Sequence, residues 1–349
     1  MDMKEIAKIG KTIIRQLSSG IEQYMIIDNP NTPGHSCPYE NVEDEKLRQK
    51  LCELNCDIKP ADQPKVFVQH KRLSKLQMLQ LLYYHFLPID SRGVILGISE
   101  KSVAQALNCT VRSVQNNNKV LEETGIIYSS NCGEGRINVM ILPYKQYHAT
   151  KEEGGSGYLS MSVEFFELLL HVKNVNALRM ELRKLLVYDN DTAKRIYGKS
   201  EVSHISKNDW KLFLPKYTHT QTKLESIIED GTEAFKTTAE HATVYFVMDS
   251  RYNGKLLKEQ KEQLYSRHLS DLLSTTFLFM EKRDTADLVQ LCFEYSYNEV
   301  HHAIEEWLQE CAIDEQKKMI QNIGGYIRTV IRKNRHESLK QLPPLQITA

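Results

Sequence analysis

The stretch SVAQALNCTVRSVQNNNKVLEETGII, residues 102–127, constrains the fold more than any other part of the chain. Ser99 is placed to cap a helix whose Val103, Ala104 and Leu107 share an apolar face. Small Ala104 lets a second helix cross closely. Asn108 and Cys109 make a turn, and Thr110 can cap the next helix by accepting from its free backbone N–H groups. In that helix Val114, Leu121 and Val120 point inward, while Arg112, Ser113, Gln115, Asn116 and Lys119 fall on the outer face. Gly125 stops it, and IIYSS and RINVMIL can pair as a hairpin across NCGEG. Asn118 sits one turn after Val114, where a hydrophobe is expected. Either it finds partners inside, or the helix is rotated so that Val120 shares the packing.

Length and charge bound what surrounds this stretch. A chain of 349 residues with 41% apolar content is enough for two or three domains. Its 45 basic and 45 acidic residues balance, so net charge names no partner. The distribution is uneven. Residues 65–120 hold Lys65, Lys71, Arg72, Lys75, Arg92, Lys101, Arg112 and Lys119 against only Asp90 and Glu100. Residues 317–340 are similarly basic, opposed by Glu337 alone. Such local patches point to nucleic acid, although each alone could be a solvated helix face. No apolar run is long enough to span a bilayer, and the first residues lack the apolar core of a signal peptide. Seven scattered cysteines argue against a disulfide scaffold. The expectation is a cytoplasmic protein without a membrane partner.

The order "EKSVAQALN", "NCT", "VRSVQNNNKVLEETG" and "IIYSSNCGEGRINVMIL" resembles the winged helix-turn-helix family. The resemblance covers about a quarter of the chain. It implies that the second helix lies in a DNA major groove. There Asn and Gln amides pair with adenine, and Arg or Lys with guanine or phosphate. The implied DNA contacts are Thr110, Arg112, Ser113, Gln115, Asn116, Asn117 and Lys119, with Arg136 of the wing reaching the adjacent backbone or minor groove. Asn118 is the departure from the family pattern.

A weaker second copy follows. Ser206 and Asp209 fit a capping box on a helix carrying Trp210, Leu212, Phe213 and Leu214, stopped by Pro215. The next helix offers Leu224, Ile227 and Ile228 inward, with Thr218 near its start and Thr220, Gln221 and Lys223 there as further expected DNA contacts, together with Arg251. TVYFVMDSRYNG would be a wing with Arg251 at its tip. The other reading is an ordinary α+β core segment. Two winged helices in tandem resemble the replication initiators of plasmids and phages, in which one domain reads the site and the other dimerises or contacts the backbone. The helical block from residue 158, rich in Phe and Leu, packs between the copies or forms a dimer contact.

The expected class is therefore mainly α with small β wings (α+β). Residues 1–64 would form an N-terminal helical and loop region, opening with a helix over 3–17. Residues 65–150 hold the first winged helix, 158–253 the second, and 254–349 a helical C-terminal domain. In that domain Ile323, Ile327 and Ile331 share one face, and Arg328, Arg332 and Arg335 form a basic stripe. NIGGYIRTVIRKNR resembles the closing helix of bacterial replication proteins, including DnaD-like domains. The stripe either binds DNA non-specifically or is a solvated face.

His35, Cys37, Cys52 and Cys56 are zinc-competent groups, but their spacing is irregular and contains no CxxC. A loop Cys37 and an apolar helix position for Cys52 explain them without metal. No phosphate loop, nucleophile elbow or HExxH occurs. The reading is thus a non-enzymatic, cofactor-free binder of double-stranded DNA. It acts as a replication initiator or control protein, as a homodimer and with other replication proteins as partners. The alternatives are a transcription regulator with a helical dimerisation or effector domain, and an adaptor whose winged helix binds protein.

Overall fold

The computed structural model describes residues 3–27, 46, 65–150, 152–195, 202–274, 282–313, 320 and 322–340. The chain divides into two compact units, Gly20–Arg72 and the rest.

The larger unit begins with strand β1 (Ile6–Gly10) and helix α1 (Lys11–Ser19). A single helix over 3–17 is therefore not what forms. Ile6, Ile9, Ile13 and Leu17 fit a helical stripe in isolation. Residues 6–10 instead pair with a remote strand and are buried on both faces apart from Lys8. The smaller unit contributes an antiparallel pair, β2 (Ile21–Ile27) with β3 (Lys65–Lys71). The zinc candidates His35, Cys37, Cys52 and Cys56 lie outside the described residues.

From Ser74 the larger unit runs through α2 (Lys75–Phe86), β4 (Val94–Ser99), α3 (Glu100–Ala106), α4 (Val111–Glu123), β5 (Ile127–Gly133) and β6 (Arg136–Ile141). Ser74 and Gln77 form a capping box at the start of α2. From Met78 to Phe86 every α2 residue is buried, because α4, β1 and a later helix cover it on all sides. The strands form one antiparallel sheet in the order β4-β6-β5.

The same sequence of elements then recurs. After a turn in which Gly155 donates its N–H to Thr150 O at 2.7 Å come β7 (Tyr158–Ser162), α5 (Val163–His171) and α6 (Val175–Arg195). The block from residue 158 thus opens with a strand. Then follow β8 (Ser203–Ile205), α7 (Lys207–Phe213), α8 (Gln221–Glu229), β9 (Phe235–Glu240) and β10 (Thr243–Met248). Their sheet has the order β8-β10-β9, matching β4-β6-β5 position for position.

β1 and β7 pair antiparallel with Lys8 opposite Ser160, the middle residue of each strand. This register relates the halves by a local two-fold axis. The helix after each central strand packs on the long helix of the other half: α1 on α6, and α5 on α2. Phe165, Phe166 and Leu169 of α5 are fully buried there, as core between the halves. Each such side chain adds roughly 1.5–3 kcal/mol by leaving water.

Four helices close the chain: α9 (Gly254–Ser274), α10 (Lys282–Glu294), α11 (Tyr297–Ile313) and α12 (Ile323–Lys340). Leu269, Leu288, Ile304, Trp307, Ile327 and Ile331 build their shared core, which also takes in Ile6. Gly254 fits against β7, where a Cβ would stand 2.4 Å from Ser160 O. The protein is an α+β molecule, mostly helical with small antiparallel sheets. Among the described residues no helix is long and apolar enough to cross a membrane.

Candidate nucleic-acid interface

The α3–turn–α4 segment is built as its capping residues dictate. Ser99 Oγ accepts from Ser102 N–H at 3.3 Å, and Thr110 Oγ1 accepts from Ser113 N–H at 3.1 Å. Between the helices Asn108 takes a left-handed φ of 48°, a geometry Asn tolerates, and Cys109 N–H closes the turn on Ala104 O at 2.8 Å. Gly125, at φ 69°, ends α4.

The amide run of α4 divides between two faces. Asn117 and Asn118 are 7% and 5% exposed and point at α2. Asn118 Oδ1 accepts from Gln80 Nε2 and from Tyr84 Oη, both at 2.7 Å. Gln80 Nε2 also lies 3.1 Å from Val114 O, and Gln80 Oε1 accepts from Asn117 Nδ2 at 2.9 Å. Asn118 is thus satisfied internally, the first of its two expected outcomes, and Val120 is only half-buried. Asn117 does not belong with the DNA-contacting candidates, since its side chain is spent inside this network. Burial and the neighbouring carboxylate Glu100 leave the Tyr84 phenol well above its ordinary pKa, so it stays a donor.

On the outer side Arg112, Asn116 and Lys119 are exposed and form one stripe, and Thr110 and half-exposed Ser113 lie at its N-terminal end. Gln115 is half-buried, its Nε2 donating to Glu100 Oε2 at 3.0 Å. Lys101 of α3 is exposed as well. Arg136 opens β6 opposite Gly133, half-buried and with no partner among the described residues.

The second half is built alike but furnished differently. Ser206 Oγ accepts from Asp209 N–H at 3.2 Å, the N-cap half of the expected box, while the Asp209 carboxylate bonds the Ser206 hydroxyl at 2.6 Å rather than its backbone N–H, and Thr220 caps α8 by accepting from Lys223 N–H at 3.4 Å. Trp210, Phe213, Leu214, Leu224 and Ile227 are buried, whereas Leu212 is exposed. On the α8 surface Gln221 donates to Glu225 at 2.8 Å, Glu225 and Glu229 share one exposed face, and Lys223 is exposed on another. Arg251 is not at a hairpin tip. The tip is His241–Ala242, and Arg251 lies in the 3-10 turn Ser250–Tyr252 beyond β10. There it pairs with Asp249 at 2.9 Å, and hydrogen bonds from Arg251 hold that carboxyl below its usual range.

The C-terminal stripe is largely neutralised from inside the fold. Arg328 pairs with Glu294 at 3.0 Å. Arg335 donates to both carboxylate oxygens of Glu299, at 2.9 and 2.6 Å, and stacks over Tyr295. Arg332 is exposed and has no partner among the described residues. It and Arg136 line one groove of about 1080 Å³ between β4 and helices α11 and α12. The acids that pair with the stripe come from α10 and α11, far away in sequence, so spacing within α12 could not reveal them.

Among the described residues no group of three or more His, Cys, Asp or Glu side chains is placed to hold a metal ion. No protein-family model matches this chain, and no curated protein matches it in sequence.

Proposed function

We propose that the chain is a sequence-specific double-stranded DNA-binding protein built on two winged helices, and that it initiates or controls replication of a plasmid or phage. The observation that carries this reading is the exposed Arg112–Asn116–Lys119 stripe. It lies on the second helix of a capped helix-turn-helix, beside a three-stranded sheet, in an arrangement repeated about a local two-fold axis. One amide between two cations suits a major groove: the amide meets adenine, and the cations meet guanine or phosphate. Arg136 supplies a further unpaired cation for the backbone. The second half, with a less cationic α8, serves as framework, backbone contact or dimer surface. A homodimer would read a repeated site, in the cytoplasm and with other replication proteins.

A second reading is a transcription regulator whose C-terminal helices form an effector domain. The open groove between those helices and the first half favours it. No catalytic step is proposed.

Selection from a pool of random duplexes tests DNA reading directly. Enrichment of one sequence, with affinity falling steeply as salt rises, is expected. Failure to enrich any sequence, together with salt-insensitive binding, overturns it in favour of a protein-binding adaptor. A cloned fragment carrying the gene and its flanks should then replicate autonomously. Promoter repression without replication would instead support the regulator.

A further inference from the structure

A cavity of about 630 Å³ opens where β1, the loop after α2 and helices α9, α10 and α12 meet. Lys4, Lys8 and Arg332 line it, together with the rings of Tyr144, Phe293 and Tyr295. Lys4 is only 5% exposed, and its ammonium has no hydrogen bond or ion pair among the described residues. Burial, and then the neighbouring Lys8, bring its pKa down to about 7. Lys8 is likewise lowered, first by burial and then by Lys258. The acids nearby are already engaged. Glu294 is 3.0 Å from Arg328, and Asp90 accepts from Arg92 and Val94 backbone N–H groups at 2.8 and 2.9 Å.

A buried amine with no partner escapes the cost of its charge only by losing the proton, and an anion beside it would restore the charged form. Of the five cations lining this space, Lys258 and Arg328 pair with Glu262 and Glu294, so Lys4, Lys8 and Arg332 call for more than one negative charge. The volume exceeds that of a single phosphate and lies in the range of small-molecule sites, and three rings offer faces to an organic moiety. We propose that this cavity binds a small molecule carrying a diphosphate or triphosphate. Lys4 and Lys8 hold the phosphates from the inner wall, and Arg332 holds them from the rim. A DNA backbone phosphate has the same chemistry, but the inner position of Lys4 suits a ligand that enters the cavity whole.

Calorimetric titration of the full chain at low salt, with sodium pyrophosphate and with ATP as probes, tests the assignment. Both should bind, and Lys4→Met and Arg332→Gln should each weaken them by about tenfold or more. Lys4→Met removes a buried charge and should fold. Arg332→Gln, at an exposed position, keeps the test open if it does not. Binding of neither probe overturns the proposal, as does binding by both variants that equals the parent protein's. It is also overturned if pyrophosphate never binds while both variants lose affinity for duplex DNA, which would assign these cations to the DNA backbone.

Discussion

The two halves share one frame and differ in both places where polar groups sit. In the first half the interior of the long helix is neutral: Gln80 and Tyr84 bond Asn117 and Asn118. In the second half it is charged. Lys184, as far from its helix start as Tyr84 is from its own, forms a buried ion pair with Glu181 and donates to Thr237 at 3.0 Å. Thr232 Oγ1 donates to the other Glu181 oxygen at 2.6 Å. Outside, α4 shows Arg112, Asn116 and Lys119 on one face, whereas the exposed side chains of α8 include one cation, Lys223, and two acids, Glu225 and Glu229. One topology therefore tolerates two unrelated polar cores, although on α6 the buried Arg183 Nε has no hydrogen-bond partner. The surface, not the frame, distinguishes the proposed reader from its partner.

The interior contrast can be broken by mutation. Lys184→Met strands Glu181 in the core and should cost about 3–5 kcal/mol in denaturant unfolding. An unchanged midpoint would show that the ion pair is not integral to the second half. Acid should single out the first half. His85 is fully buried in α2, bonded to Leu81 O at 2.8 Å and Tyr147 Oη at 2.9 Å. Burial brings its pKa from 6.5 to about 4. The unfolded chain takes up that proton first, so stability is full above the unfolded value and falls as pH drops toward 4. The loss from this one group is on the order of 3 kcal/mol. Leu185 takes the corresponding place in α6 and cannot titrate. His85→Gln should flatten the decline between those pH values; an equally steep decline would contradict the assignment.

Gln80→Leu leaves Asn117 without its acceptor and frees Val114 O, for a loss of about 1–3 kcal/mol. A neutral result would mean that the amide network is dispensable. The hairpins give the smallest contrast. In the first, Gly133 and Gly135 take two of the three left-handed positions; in the second, His241 and Ala242 sit at φ 48° and 62°. Ala242→Gly should stabilise by up to about 1 kcal/mol, seen as a higher melting temperature. A decrease would show that the Ala242 side chain makes a contact that matters.

What the sequence disclosed follows from the range of each interaction. Helix caps act over three residues, so Ser99, Thr110 and Ser206 were readable, as was the Gly125 stop. Burial along one helix was readable too, at Val114, Leu121, Leu224 and Ile227. Pairings across the chain were not. β1 has helical spacing and becomes a strand only because β7 lies beside it. β4 and β8 were missed because each runs directly into a helix start, and β8 has only three residues. Asn117 looked outward until Gln80, on another helix, was placed beneath it. Arg251 and Arg328 looked free until Asp249 and Glu294 were placed beside them. The cavity around Lys4 joins five segments, and no local pattern announces it.

The central claim, that α4 reads bases and α8 does not, is tested most directly by fluorescence anisotropy on an enriched duplex and a scrambled one. The double variant Arg112→Ala/Asn116→Ala is to be compared with Gln221→Ala/Lys223→Ala. The α4 variant should lose discrimination between the two duplexes by about 1–3 kcal/mol for each base contact removed, while the α8 variant keeps it. Equal loss from both variants, or loss from the α8 variant alone, would contradict the account.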